Sequence, residues 1–155
     1  MIVVMIIGII AAIAIPNLIL AVERAKQKRT MSDMRNLATA WEARSVETGR
    51  YNASGAQVPG IDQVVDINAL DTALAPTYIR TMPKQDGWGH PLEVYTNLSW
   101  GNGTPASAYA LISPGRDGRF AASPTSGATT NFDCDIVYSN GSFVAYPEGA
   151  NTSTQ

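Results

Sequence analysis

The sequence predicts an α+β fold: a long N-terminal α-helix packed on a small antiparallel β-sheet head. Three observations predict it. An uncharged apolar run extends from Met1 to Val22 and passes into a one-sided apolar stripe with no break signal between them, so a single helix is expected over residues 1–50. The segment "IVYSNGSFVAY", Ile136 to Tyr146, sets Asn140-Gly141 between β-formers, the pattern of a tight hairpin. Two short β-compatible runs, 92–96 and 108–113, supply further strands for the helix to cover. The chain therefore divides into the helix, 1–50, and a globular head, 51–155.

Residues 1–22 as an α-helix measure roughly 33 Å at 1.5 Å per residue, enough to cross a hydrocarbon core of about 30 Å. Within them "GIIAAIAIPNLILA" carries Gly8 and Pro16. Proline removes a backbone hydrogen bond and crowds the carbonyl four residues earlier, an awkward choice for a plain anchor. The basic cluster Arg24, Lys26, Lys28, Arg29 follows; the positive-inside rule applied to this flank alone would set the head in the cytoplasm. Met31, Met34, Ala38 and Trp41 then recur at spacings of three and four, with Arg24, Lys28, Arg35, Glu42 and Arg44 between them. This stripe is expected to dock on the head's own core. Thr48-Gly49 stops the helix, since glycine takes the left-handed cap without a Cβ clash.

Residues 51–65 read as a connecting loop. Asp66 caps a short helix that ends before Pro76. "MPKQDGWGHP" is dense in turn formers and holds Trp88 between two glycines, where its ring is expected to plug a core edge. Between Arg119 and Phe132 runs an Ala, Ser, Thr, Gly and Pro-rich stretch with neither helical nor strand period. A loop of that length calls for a pin.

Charge and cysteine content exclude several classes. With 11 Lys+Arg against 13 Asp+Glu, a formal net charge of −2, no chain-wide positive field favours nucleic acid. One cysteine, Cys134, excludes an intrachain disulfide and any CxxC motif; flanked by two aspartates, it is expected to be a small, buried and unreactive side chain. His90, the one histidine, stands in no nucleophile motif and reads as a turn residue, so no catalytic role is expected. Five Asn-x-Ser/Thr sequons, at Asn52, Asn97, Asn102, Asn140 and Asn151, mark exposed loops at most.

The pin has a candidate in Asp117, before the long loop, with Asp133 and Asp135 after it. Converging carboxylates suit a hard cation such as Ca²⁺, which takes six to eight oxygens. The spacing is not that of an EF-hand, and taken alone the residues read first as surface partners of Arg116 and Arg119.

The segment "MIVVMIIGIIAAIAIPNLILA" resembles the N-terminal helix shared by type IV pilins and type II secretion pseudopilins. In that family a short segment of the kind Phe-Thr-Leu-Ile-Glu-Leu, with a basic leader ahead of it, precedes the position that Met1 holds here. The family's N-methylated first residue and early glutamate thus match no residue of this chain. The leader's charge would orient the helix with its N-terminus cytoplasmic and the head outside. In the head, "DGWGHPLEVY" resembles the Asp-Pro-Trp-Gly-Asn-Pro-Tyr segment of major pseudopilins, with Gly87 in place of Pro and His90 in place of Asn. "SPGRDG" followed by "DCDIVY" resembles their calcium loop.

The resemblance implies Ca²⁺ as cofactor, held by the side chains of Asp117, Asp133 and Asp135 with Leu111 or Ser113 as backbone donors. It also implies a filament subunit. Such a subunit waits in the bacterial inner membrane with its head in the periplasm, then assembles with copies of itself, through secretion or pilus assembly machinery, into an extracytoplasmic helical homopolymer. Gly8, Ile9, Ile13, Ile15, Pro16 and Leu18 would lie in the membrane and then in the filament core, the helix loosening between Gly8 and Pro16 on assembly. The basic cluster from Arg24 to Arg29 and acids such as Glu23 and Asp33 would make intersubunit pairs just outside that core, or the cluster would form a solvated or phospholipid-facing collar. A major pseudopilin of type II secretion is the first reading, favoured by an ion in place of a disulfide. A major pilin of an adhesion or motility fibre is the second, and a monomeric membrane-anchored periplasmic calcium- or ligand-binding domain the third.

Overall fold

The computed structural model describes residues 2–51, 63–97, 105–121 and 126–148. The sequons at Asn52, Asn102 and Asn151, most of the 51–65 connection and the middle of the 119–132 stretch lie outside the described residues.

Helix α1 spans Ile2–Thr48, 47 residues, about 70 Å long. It runs through Gly8 and Pro16 without interruption in the single chain. One residue beyond the proline, Asn17 Nδ2 donates to the Ile13 carbonyl at 3.1 Å. Gly49 takes φ +69° just past the helix end, the left-handed cap read from Thr48-Gly49. The two halves of α1 differ as the sequence requires. No residue of the apolar window is buried, whereas Met34, Leu37, Ala38 and Trp41 are fully buried in the head.

The head forms one six-stranded sheet in the order β1-β2-β3-β5-β6-β4. Its strands are β1 (Gln63–Val65), β2 (Glu93–Thr96), β3 (Tyr109–Ser113), β4 (Gly127–Thr129), β5 (Ile136–Ser139) and β6 (Ser142–Pro147). Helix α2, Ile67–Leu74, follows β1 and is capped by Asp66, whose carboxylate accepts from the Asn68 N–H at 2.9 Å. The β5–β6 hairpin turns at Asn140 (φ 47°) and Gly141 (φ 89°), the two left-handed residues that a type I′ turn demands.

Four of the pairings are antiparallel, in accord with expectation, but β4 lies parallel to β6. The small mixed sheet thus corrects an all-antiparallel reading. β4 and β1, three residues each, fall in segments whose sequence reads as loop; strands this short carry no period to detect.

Side chains alternate across β3. Tyr109 and Leu111 join Met34, Leu37, Trp41, Val94, Ile136 and Tyr138 in the core under α1, while Ala110 and Ile112 pack with Tyr95, Val137 and Ala145 on the other face. Trp41 anchors the first cluster through Tyr109, ring centroids 4.7 Å apart, and Tyr109 in turn meets Tyr51 at 5.0 Å.

Candidate functional site

Two turns of the head meet each other, and the first rests on the Glu23 to Thr30 segment of α1. The first is "DGWGH", Asp86 to His90. The Gly87 N–H donates to Thr30 Oγ1 at 2.8 Å, and a Cβ placed on Gly87 would lie 2.3 Å from the Lys26 carbonyl oxygen. Glycine at this position lets the turn rest directly on the helix backbone, which accounts for its presence where the resembled motif has proline. The Trp88 indole N–H donates to Glu23 Oε2 at 2.6 Å while its ring packs partly buried against the core, the edge plug expected of it. Glu23 also faces Lys26 at 3.5 Å, and Arg29 faces Asp33 at 3.5 Å. The two acids assigned to intersubunit pairs are therefore engaged within the chain.

Asp86, 4% exposed, organises the turn. Its Oδ1 accepts from the N–H groups of Trp88 and His90, each at 2.9 Å, and its Oδ2 accepts from Ser113 Oγ at 2.9 Å. A buried carboxylate is tolerable when hydrogen bonds replace its hydration. His90 Nδ1 lies 2.9 Å from the Gly115 carbonyl, so that nitrogen carries the proton and donates. His90 is more than a turn residue, since it ties the first turn to the second.

The second turn, Pro114 to Gly118, packs backbone to backbone against residues 132–134. The Arg116 N–H donates to the Phe132 carbonyl at 2.9 Å. Gly115 (φ +70°) would place a Cβ 2.7 Å from the Cys134 carbonyl. Asp117, Asp133 and Asp135 line one cavity of about 210 Å³ together with Cys134, so the structure brings the three aspartates together. Leu111 and Ser113 are not among the lining residues. Leu111 sits mid-sheet between Val94 and Tyr138, and the Ser113 side chain serves Asp86. Cys134 is half-exposed, a correction to the buried side chain expected.

The three carboxylates differ in state. Arg116 grips Asp133 with two hydrogen bonds, Nε at 2.6 Å and Nη2 at 2.8 Å, the surface pairing that the sequence left open. Those bonds hold the Arg116 guanidinium above its ordinary pKa, with the charges of Glu23 and Asp117 adding. Asp117 accepts from the Arg119 N–H at 3.0 Å. Asp135 is 5% exposed and accepts from the Ala121 N–H at 2.9 Å. Burial pushes its pKa up, and the nearby charge of Asp117 adds to the rise. Asp117 and Asp135 offer hard oxygen donors at one cavity, and among the described residues no cationic side chain bonds the desolvated Asp135, a donor chemistry of the kind a hard cation takes. Asp133 joins that set only if it leaves Arg116. Among the described residues, no group of three or more His, Cys, Asp and Glu side chains stands in ready metal-binding arrangement.

Comparison with known proteins gives two relatives of one kind. Type II secretion system core protein G of Aeromonas hydrophila is 28% identical over 127 residues, covering 77% of this chain and 71% of the relative. The protein of the same name from Escherichia coli (strain K12) is 28% identical over 122 residues, covering 76% and 77%. No protein-family model matches the chain, and no solved structure does. The long helix and the small mixed-sheet head thus accompany a likeness to two type II secretion core protein G sequences over about three quarters of the chain.

Proposed function

We propose that the chain is a structural subunit of a helical extracytoplasmic filament, a major pseudopilin of type II secretion, stored in the inner membrane and assembled through the apolar half of α1. The observation that carries this reading is the division of one continuous helix. From Ile2 to Val22 its large apolar side chains are exposed, Ile2 at 76% and Ile13 at 65%, while from Gln27 onward one face is built into the head. An apolar helix of this length needs lipid or other helices around it. Exchange between the two is tolerable because acyl chains and a bundle of apolar helices are comparably apolar, with fit between helices replacing lipid contact. Identical contacts that repeat without closing generate a helical filament rather than a ring. The two core protein G relatives support the secretion role.

The head's part is structural, with no catalysis. Ca²⁺, held by the Asp117 and Asp135 carboxylates, would supply the positive charge that the buried Asp135 lacks. Asp133 stays on Arg116 or joins the ion by releasing it. Co-expression of the full chain with a type II assembly platform and electron microscopy of the cell surface tests the reading. Filaments are expected. A chain that remains in the membrane as monomers, although correctly processed, would instead make it an anchored periplasmic domain.

A further inference from the structure

We infer that Arg24 and Lys28 form a binding site for the phosphates of anionic lipid headgroups, fixing the depth at which the subunit sits before assembly. The inference rests on the membrane reading above and names the lipid class that this reading leaves open. Four cations, Arg24, Lys26, Lys28 and Arg29, follow the apolar run, but they are not equivalent. Lys26 faces Glu23 and Arg29 faces Asp33. Among the described residues, Arg24 and Lys28 have neither an ion-pair nor a hydrogen-bond partner, and both are exposed. Separated by four positions, they stand one above the other on the same helix face.

Their height is set by the helix itself. At 1.5 Å per residue Arg24 stands about 3 Å and Lys28 about 9 Å beyond Val22, which closes the apolar run. The headgroup layer on each side of a bilayer is roughly 5 to 8 Å deep. Both long side chains therefore reach phosphate depth, with their methylene stems lying along the helix toward the hydrocarbon edge. The neighbouring acid does not oppose this. Glu23 is held by the Trp88 indole and Lys26, and the "DGWGH" turn seated on Lys26 and Thr30 keeps the head on another side of the helix. The remaining local charge is positive on a chain whose net charge is −2.

The full chain reconstituted in phosphatidylcholine vesicles, with trace spin-labelled phosphatidylglycerol or phosphatidylcholine, reads this directly by electron spin resonance. The wild type is expected to restrict phosphatidylglycerol at least about two-fold more strongly than phosphatidylcholine. That preference should shrink toward unity in about 1 M salt, where charges are screened over a few ångströms. Arg24→Gln with Lys28→Gln should remove it. Arg35→Gln should keep it, since Arg35 lies about 20 Å beyond Val22 by helix rise and sits over the Phe143 ring. Equal restriction of both labels by the wild type, or a preference that survives the double substitution, overturns the inference; equal restriction is also what service to acids of a neighbouring copy would give. Absence of any restricted lipid overturns the membrane reading itself, a different failure.

Discussion

Gly87 shows how much one residue decides here. Its missing Cβ lets the "DGWGH" turn touch the helix backbone, so Gly87→Ala must push the turn off Lys26 and loosen the Thr30 and Glu23 bonds with it. A loss of about 1 to 3 kcal/mol is expected, as for overpacked cores, read as a lower melting temperature of the full chain in detergent. Gly8→Ala, with nothing within 4 Å of the added carbon, should leave the head's melting unchanged. Ser113→Ala removes one of the three hydrogen bonds to buried Asp86, and a cost of about 1 to 3 kcal/mol follows from leaving that oxygen unpaired. Tyr109 bears on alkaline stability. Burial first, and its hydrogen bond to Glu42 second, raise its pKa well above the ordinary 10.0. As pH rises past 10 the unfolded chain releases this proton while the folded one keeps it, so the contribution is whole below that range and declines above it. Urea titrations between pH 9 and 11 should show wild-type stability falling with a steeper slope than Tyr109→Phe.

At the scale of elements, legibility followed the strength of local pattern. The 47-residue helix, the Asp66-capped helix and the Asn140-Gly141 hairpin were readable because period, cap and turn chemistry each act over a few residues. β1 and β4 were not, because three-residue strands take their pairing from distant partners, β4 from β6 in the parallel sense. The Met34 to Trp41 stripe was legible and carries the helix-to-head bond. Trp41→Ala should cost about 3 to 5 kcal/mol, measured by denaturant unfolding of the full chain. For the site, sequence order could bracket the long loop with Asp117, Asp133 and Asp135. It could not show that Arg116 holds Asp133, that Ser113 turns to Asp86, or that His90 joins the two turns. Those facts depend on side-chain direction after folding. If the loop takes Ca²⁺, melting of the full chain should rise with millimolar Ca²⁺ and fall back with EDTA, and Asp135→Asn should abolish the shift. An unchanged melting temperature in the wild type would remove calcium from the account.

For the whole molecule the governing feature is a helix that is half scaffold and half unsatisfied apolar surface. The Asp86–His90 turn is bonded to it at Glu23 and Thr30, and the apolar window before Glu23 has no buried residue. In the single chain that free half is helical through Gly8 and Pro16; the loosening that the family resemblance implies would be a property of assembled filaments alone. A helical reconstruction of filaments formed by the full chain tests the central claim most directly. The account predicts residues 2–22 of many copies packed together along the filament axis, with the heads outside. Filaments joined through the heads with the apolar halves at the periphery, or no filaments from processed protein, would contradict it.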